Sequence, residues 1–183
     1  PISLAEVVAR ADLQTRRDRK YLVPVDDGLP VLDAAEGRVL EIGGRRSFGY
    51  ESVYFDTEDF EQYRAHRQGR RRRYKVRSRT YADTGLSMFE IKTKGVRGST
   101  VKHRVEQDPT QAGELTAQNL KFLDETLRRE YDLRAPRLHR VLHSSYTRST
   151  FVNPTDGERL TCDVELSYAN EATRVDGPEL IVV

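Results

Sequence analysis

Arg73-Tyr74-Lys75-Val76-Arg77-Ser78-Arg79, Phe89-Glu90-Ile91-Lys92-Thr93-Lys94 and Val101-Lys102-His103-Arg104-Val105 are runs of one kind, in which a charged residue alternates with an apolar or small one. Side chains along a strand point alternately to opposite faces, so residues two apart line one surface. Arg73, Lys75, Arg77 and Arg79 therefore share a face, with Tyr74, Val76 and Ser78 on the other. Glu90, Lys92 and Lys94 likewise oppose Phe89, Ile91 and Thr93, and Lys102, Arg104 and Glu106 oppose Val101, His103 and Val105. The spacing predicts strands over 71–81, 86–94 and 101–107. The separators, Asp83-Thr84-Gly85 and Gly95 to Ser99, are too short for a crossover and force antiparallel neighbours.

Further elements extend outward from these three strands. The segment Arg16 to Val23, ahead of Pro24, gives way to strand formers and carries Lys20. Tyr50 to Phe55 is rich in aromatic and β-branched residues and ends at Asp56-Thr57, a turn and cap signal that leads into a helix over 59–67. A helix over 117–131 is expected to bury Leu120, Leu123, Leu127 and Tyr131 on one face. Strands over 144–152 and 159–167 flank the hairpin loop Asn153-Pro154-Thr155-Asp156-Gly157 and add Arg148, Arg159, Asp163 and Glu165. A last strand begins after Pro178. At the other end, Ser3 followed by Glu6 is a capping box for a short amphipathic helix, and Pro30 opens another short helix before Gly37. Strands then outnumber helices, and the class is α+β.

Composition bounds what such a sheet serves. A chain of 183 residues with 37% hydrophobic residues fills one core, so a single domain over 1–183 is expected. A net charge of +2 with 33% charged residues rules out a general polycation, so any basic site is a local concentration. The one cysteine, Cys162, offers neither an internal disulfide nor a basis for zinc, which points to a reducing, cytoplasmic setting. No apolar run approaches the ~20 residues of a membrane span. His66, His103, His139 and His143 fall at no metal-like spacing.

Any one of the charged strand faces is accounted for by solvation. Taken together they are not, because a solvated face mixes signs to avoid repulsion across neighbouring strands, whereas here cations stack on cations. Closing the sheet into an antiparallel β-barrel with flanking helices turns these faces inward, where unpaired cations are costly unless an anion enters. Arginine offers phosphate oxygens a fork and lysine a point charge, so the expected anion is a phosphate chain. The run Arg70 to Arg73 with several tyrosines also suits nucleic acid, but a basic run at a strand start is more often solvated, and no nucleic-acid partner is expected.

The pieces Lys20-Tyr21, Tyr54-Phe55-Asp56, Arg73 to Tyr81, Phe89-Glu90-Ile91-Lys92, Lys102 with Arg104, Tyr146-Thr147-Arg148 and Arg159-Leu160-Thr161-Cys162-Asp163 resemble, in order, the VTC-domain branch of the triphosphate tunnel metalloenzymes, relatives of the CYTH proteins. The resemblance implies a tunnel that binds ATP or polyphosphate with Mn²⁺ or Mg²⁺, and for the VTC branch it implies polyphosphate synthesis. By the same carry-over Lys20, Arg77, Arg79, Lys92, Lys102 and Arg148 would act catalytically on the phosphates. Lys75, Lys94, Arg104, Arg159 and Tyr54 would bind substrate, and Glu90, Asp163 and Glu165 would lie near the metal. Hydrolytic relatives carry an alternating glutamate pair before the first-strand lysine. Arg16 and Asp18 stand there in this chain, which favours the VTC branch. The family also carries a metal-binding glutamate and a lysine on the last strand, about where this chain stops at Val183, so a form shortened at its C-terminus is expected, with membrane or protein partners reached through segments outside it.

Phosphoryl transfer to a growing polyphosphate needs in-line positioning and neutralised oxygens, and no nucleophilic side chain. A hydrolase of inorganic or organic triphosphates and a non-catalytic polyphosphate-sensing module are the alternatives.

Overall fold

The computed structural model describes residues 1–10, 19–28, 37–95, 99–153 and 158–183. The expected helix between Pro30 and Gly37, together with Arg16 and Asp18, lies outside the described residues. In chain order the elements are α1 (Leu4–Arg10), β1 (Leu22–Pro24), β2 (Arg38–Val39), β3 (Ser47–Asp56), α2 (Glu61–Arg67), β4 (Tyr74–Tyr81), β5 (Ser87–Lys94), β6 (Thr100–Gln107), α3 (Ala117–Tyr131), β7 (His139–Val152), β8 (Arg159–Ala169), β9 (Arg174–Asp176) and β10 (Leu180–Val182). The strand order is β1-β10-β8-β7-β3-β4-β5-β6, with β2 on β7 and β9 on β8. This is an antiparallel sheet with flanking helices, as the α+β reading expected. Among the described residues the order is an open path with β1 and β6 at its ends, so closure into a barrel goes beyond these pairings.

The chain divides into two compact units: 1–50 with 145–168 and 174–183, and 51–144 with 169–173. In the second unit, β4 and β5 pair from Tyr74↔Thr93 to Thr80↔Ser87, and β5 and β6 from Ser87↔Gln107 to Lys94↔Thr100. One face of these strands supplies Tyr74, Val76, Phe89 and Ile91 to a core completed by Val53 and Phe55 of β3 and by Leu123, Leu127 and Tyr131 of α3. The other face is therefore left to the charged residues, as the alternation required.

Helix α3 has the predicted bounds and buries three of the four residues predicted for its inner face. Leu123, Leu127 and Tyr131 are buried, whereas Leu120 is 43% exposed. Asn119 takes the inward position instead, its amide nitrogen donating to Gln107 Oε1 (3.1 Å) and to the Glu114 carbonyl (3.4 Å). The Thr116 hydroxyl caps the helix by accepting from Asn119 N. Helix α2 starts two residues later than expected because Phe60 is left-handed (φ 57°). Its first amides are satisfied by the preceding turn: Asp56 Oδ1 accepts from Gln62 N, Asp56 Oδ2 from Tyr63 N and Thr57 Oγ1 from Glu61 N, each at 2.9 Å. Satisfying orphan amides in this way is what an N-terminal cap does.

The first unit has its own small core of Ile2, Val7, Leu40 and Val152, with Phe48 packed against it. Ser3 and Glu6 form the expected capping box of α1, through Ser3 N to Glu6 Oε2 (3.0 Å) and Glu6 N to Ser3 Oγ (3.3 Å). Strand β1 begins at Leu22, so Lys20 precedes it, exposed. Pro24 lies within β1, at the edge position where proline is tolerated. Strand β10 pairs with β1 and with β8, confirming a strand after Pro178. No helix among the described residues is long and apolar enough to cross a membrane.

Candidate functional site

The register of β4, β5 and β6 converts the sequence alternation into rows of side chains across the sheet. Lys75 stands opposite Lys92, and Lys92 opposite Lys102. The next row is Arg77, Glu90 and Arg104, and the one after it Arg79, Met88 and Glu106. Net charge thus grows along the strands toward the Lys94 end. Three lysines at directly opposed positions repel one another, a cost that a sheet serving only as scaffold would avoid.

Arg77 and Glu90 sit at the centre, both nearly out of water, with side chains 8% and 1% exposed. Arg77 donates from Nε (2.8 Å) and Nη2 (2.6 Å) to the same oxygen, Glu90 Oε2, and from Nη1 to the Tyr54 hydroxyl on β3 (3.3 Å). Glu90 Oε1 accepts no hydrogen bond and lies 3.7 Å from Lys102 Nζ. Burial alone would raise the Glu90 carboxyl, but the Arg77 charge and hydrogen bond outweigh it and hold it below its ordinary value. The same balance acts on Tyr54, where burial raises the phenol and Arg77, Arg79 and Lys75 together bring it down. Arg79 Nε donates to Ser52 Oγ (3.3 Å), a buried partner on β3.

The side chain of Lys92 makes no hydrogen bond or ion pair among the described residues. Burial first, then the charges of Arg77 and Arg79, push its ammonium down to about 7, with Glu90 opposing and Lys102 adding to the fall. Lys102 is lowered for the same reasons, burial leading. An ammonium with no acceptor in a cationic row either sheds its proton or takes an anion.

The second unit thus brings together Tyr54, Lys75, Arg77, Arg79, Glu90, Lys92, Lys94, Lys102 and Arg104. The remaining candidates, Lys20, Arg148, Arg159, Asp163 and Glu165, belong to the first unit. There Arg148 donates from Nε to Asp163 Oδ1 (2.5 Å) and from Nη2 to Asp163 Oδ2 (2.7 Å). Its guanidinium lies 5.2 Å from the Tyr50 ring centroid and 5.1 Å from that of Tyr146, and the two rings stack at 5.3 Å. The alternation expected along β8 fails at Glu165, whose left-handed φ of 56° breaks the extended backbone; it is exposed and accepts from Thr147 Oγ1 (2.6 Å).

The three carboxylates expected near a metal do not fit one as they stand. Asp163 has both oxygens filled by one guanidinium, Glu90 has one oxygen filled by Arg77, and Glu165 is held by Thr147. Among the described residues no three histidine, cysteine or carboxylate groups gather into a possible cation site. Mg²⁺ is usually held by one or two carboxylates with water and substrate oxygens, and here each candidate carboxylate is already engaged by a neighbouring donor.

Sequence reasoning missed Ser52, Tyr50 and Tyr146 as partners of the site arginines. The signal was present on β3, where Tyr50, Ser52 and Tyr54 recur at period two.

Comparison with known proteins identifies the fold and the family. The fold is similar to that of a putative adenylyl cyclase from Hippeastrum with a dominant triphosphatase activity, at a TM-score of 0.52 and 14% identity, covering 89% of this chain and 76% of that one. At that identity the likeness is one of fold, and the fold is the tunnel, CYTH-like one that the sequence resembled. The sequence matches the family model of the VTC domain over residues 15–181, and the chain belongs to that family. No curated protein matches it.

Proposed function

We propose that this VTC-domain chain binds ATP and polyphosphate on the cationic face of β4–β6 and transfers the terminal phosphoryl group of the nucleotide to the end of the polyphosphate chain. The observation that supports it most is the row Lys75, Lys92 and Lys102, three directly opposed cations beside Arg77 and Arg104 with Glu90 as the one carboxylate among them. Such a row is stabilised by a ligand of repeated negative charge, which a phosphate chain supplies at each unit.

In this reading a terminal oxygen of the acceptor chain attacks the γ-phosphorus in line, the bridging bond to the β-phosphate breaks, and ADP leaves with its electron pair. The cations neutralise oxygens on the transferring group, and preorganised charge of this kind is the main contribution a protein makes to such chemistry. Lys92, Lys102 and Arg104 are the groups best placed to contact oxygens. Arg77 is held by Glu90 and Tyr54, and acts by aligning Tyr54 and setting the field. Mn²⁺ or Mg²⁺ is proposed to arrive on the nucleotide's own oxygens, as part of the substrate. A phosphate-binding role for Lys20, Arg148 and Arg159 belongs to the same proposal, as does a single domain over 1–183.

Hydrolysis is the second reading, favoured by the triphosphatase activity of the Hippeastrum neighbour. Incubation with ATP and Mn²⁺ separates the two. Transfer yields acid-insoluble polymer together with ADP, whereas release of free phosphate at equal rates with and without a polyphosphate primer would establish the triphosphatase.

A further inference from the structure

The run Arg70-Arg71-Arg72 lies immediately before β4, the strand that carries Lys75, Arg77 and Arg79, and all three of its residues are exposed. Arg71 and Arg72 make no hydrogen bond or ion pair among the described residues, and Arg70 Nε donates to the neutral Gln68 Oε1 (2.9 Å). No carboxylate is therefore hydrogen-bonded to the run, although a solvated surface ordinarily intersperses both signs.

The segment is held in place. Gly69 takes a left-handed φ of 65°, a turn that a side chain would strain. Arg70 N donates to the Ala65 carbonyl (3.0 Å), tying the run to the end of α2. Arg73 folds back, its Nη1 donating to the carbonyls of Gly69 (3.3 Å) and Arg70 (2.5 Å), so it braces the run from beneath. The amide of Lys94 donates to the Arg73 carbonyl (3.2 Å), which fastens the Lys94 end of β5 beside it.

Charge increases in steps toward this end of the sheet. The row Arg79, Met88 and Glu106 is formally neutral, the row Arg77, Glu90 and Arg104 carries one net positive charge, and the row Lys75, Lys92 and Lys102 holds basic residues alone. Beyond it stand Lys94, Arg73 and then the run. A polyanion on this face is drawn toward Arg70–Arg72. Strand β4 rises about 3.3 Å per residue from Tyr74 onward, so the positions from Lys75 to Arg79 span roughly 13 Å before the run is reached. A triphosphate, three phosphorus atoms bridged by single oxygens, is shorter than that span; a long polymer is not.

We infer that Arg70, Arg71 and Arg72 form a second contact for long phosphate chains, which leave the β4–β6 face over the lysine row and continue across this run. The inference rests on the reading of that face as a phosphate site, and makes the chain selective for polymer length. Two tethered contacts act through effective concentration, so the gain belongs to ligands that reach both.

The test compares inorganic triphosphate with polyphosphate of about a hundred units, on the wild type and on a variant carrying Arg70→Ala, Arg71→Ala and Arg72→Ala. The variant is expected to bind the long chain at least about tenfold more weakly near 0.1 M salt, with the slope of log K against log salt reduced by roughly two to three. Triphosphate affinity stays within about twofold of wild type, because triphosphate does not reach the run. The corresponding Arg→Lys variant keeps the salt slope and controls for folding. Equal loss for both ligands, or no loss for the long chain, overturns the inference while leaving the phosphate site standing. Duplex DNA bound as tightly as the long chain, with the same loss in the variant, would overturn it in favour of nucleic acid. Failure of the wild type to bind either phosphate ligand removes the reading of the face and the inference together.

Discussion

Arg77 directs two of its guanidinium nitrogens at one oxygen of Glu90, and the other oxygen of that carboxylate is buried without a hydrogen bond, 3.7 Å from Lys102 Nζ. The pair is the electrostatic keystone of the strand face, since Glu90 is the carboxylate set between Arg77 and Arg104 and beside the lysine row.

Removing one partner of a buried pair leaves the other charge uncompensated, typically at a cost of about 3–5 kcal/mol, whereas an apolar pair of similar volume is often neutral. Glu90→Gln is therefore expected to lower stability by roughly that amount. Arg77→Met with Glu90→Leu is expected to recover most of it, both read by urea unfolding. Added triphosphate should partly rescue Glu90→Gln by binding only the folded state. Because the Glu90 carboxyl is held below its ordinary value, its contribution is present above the unfolded-state pKa and is lost as pH falls through the folded one. Glu90→Gln should accordingly flatten the acid limb of the stability profile. An unchanged limb would show that Glu90 does not carry the pair.

Arg148 presents a second case, in which the carboxylate competes with the ligand. Asp163 fills one side of its guanidinium through two hydrogen bonds, so a phosphate using that side must displace Asp163. Asp163→Asn is expected to weaken folding by about 1–3 kcal/mol, the usual cost of losing a charged hydrogen bond, and to leave Arg148 more open to anions. Isothermal titration with triphosphate should show equal or tighter binding in Asp163→Asn. Weaker binding would mean that Asp163 positions Arg148 for the phosphate rather than shielding it.

The β4–β6 meander was legible in the sequence because everything that defines it is local. Turns of a few residues fix the pairing, and strict period two fixes the faces. The bounds of α3 were legible for the same reason, with Thr116 acting as its cap. What the sequence did not disclose depends on register or on single backbone angles. Arg77 and Glu90 are thirteen residues apart, and only the Arg77↔Glu90 register reveals that the carboxylate is tied to a guanidinium rather than open to a metal. The left-handed Glu165 breaks an alternation that reads cleanly in one dimension. Asp163 looked like a metal ligand because its partner, Arg148, is on another strand.

The replacement of Leu120 by Asn119 on the inner face of α3 is testable by a pair of truncations. Leu123 is fully buried and Leu120 is half in solvent. Leu123→Ala is expected to cost about 2–5 kcal/mol, the range for emptying a core position, and Leu120→Ala under about 1 kcal/mol. Asn119→Leu tests the same geometry from the polar side, since it strands Gln107 Oε1 of a hydrogen bond. Comparable losses from Leu120→Ala and Leu123→Ala, measured by denaturant midpoint, would restore the face expected from periodicity alone.

Lys92 gives the pH dependence of the site. A lysine held down to about 7 by burial and by Arg77 and Arg79 is largely uncharged above neutral pH in the empty protein. Between that value and the ordinary lysine range near 10.4, the unfolded chain binds more protons than the folded one, so this group makes stability rise with pH across the window. Below about 7 both states are charged, and the folded state bears the burial of the ammonium and the repulsion of Arg77, Arg79 and Lys102 in full. Bound phosphate oxygens reverse the balance by favouring the ammonium, so binding above neutral pH takes up a proton and Lys92 contributes less affinity as pH rises. The ligand's own ionisation works in the opposite direction, and comparison with Lys92→Arg, whose charge is fixed, cancels it. Triphosphate affinities of the two proteins are expected to agree near pH 6 and to diverge by about tenfold near pH 8.5, the arginine variant being tighter. Titration in buffers of different ionisation heat should show close to one additional proton taken up by the wild type at the higher pH. Parallel affinity profiles with equal proton uptake would place the Lys92 ammonium in its charged form throughout, and the opposed lysines would then be relieved by something other than proton loss.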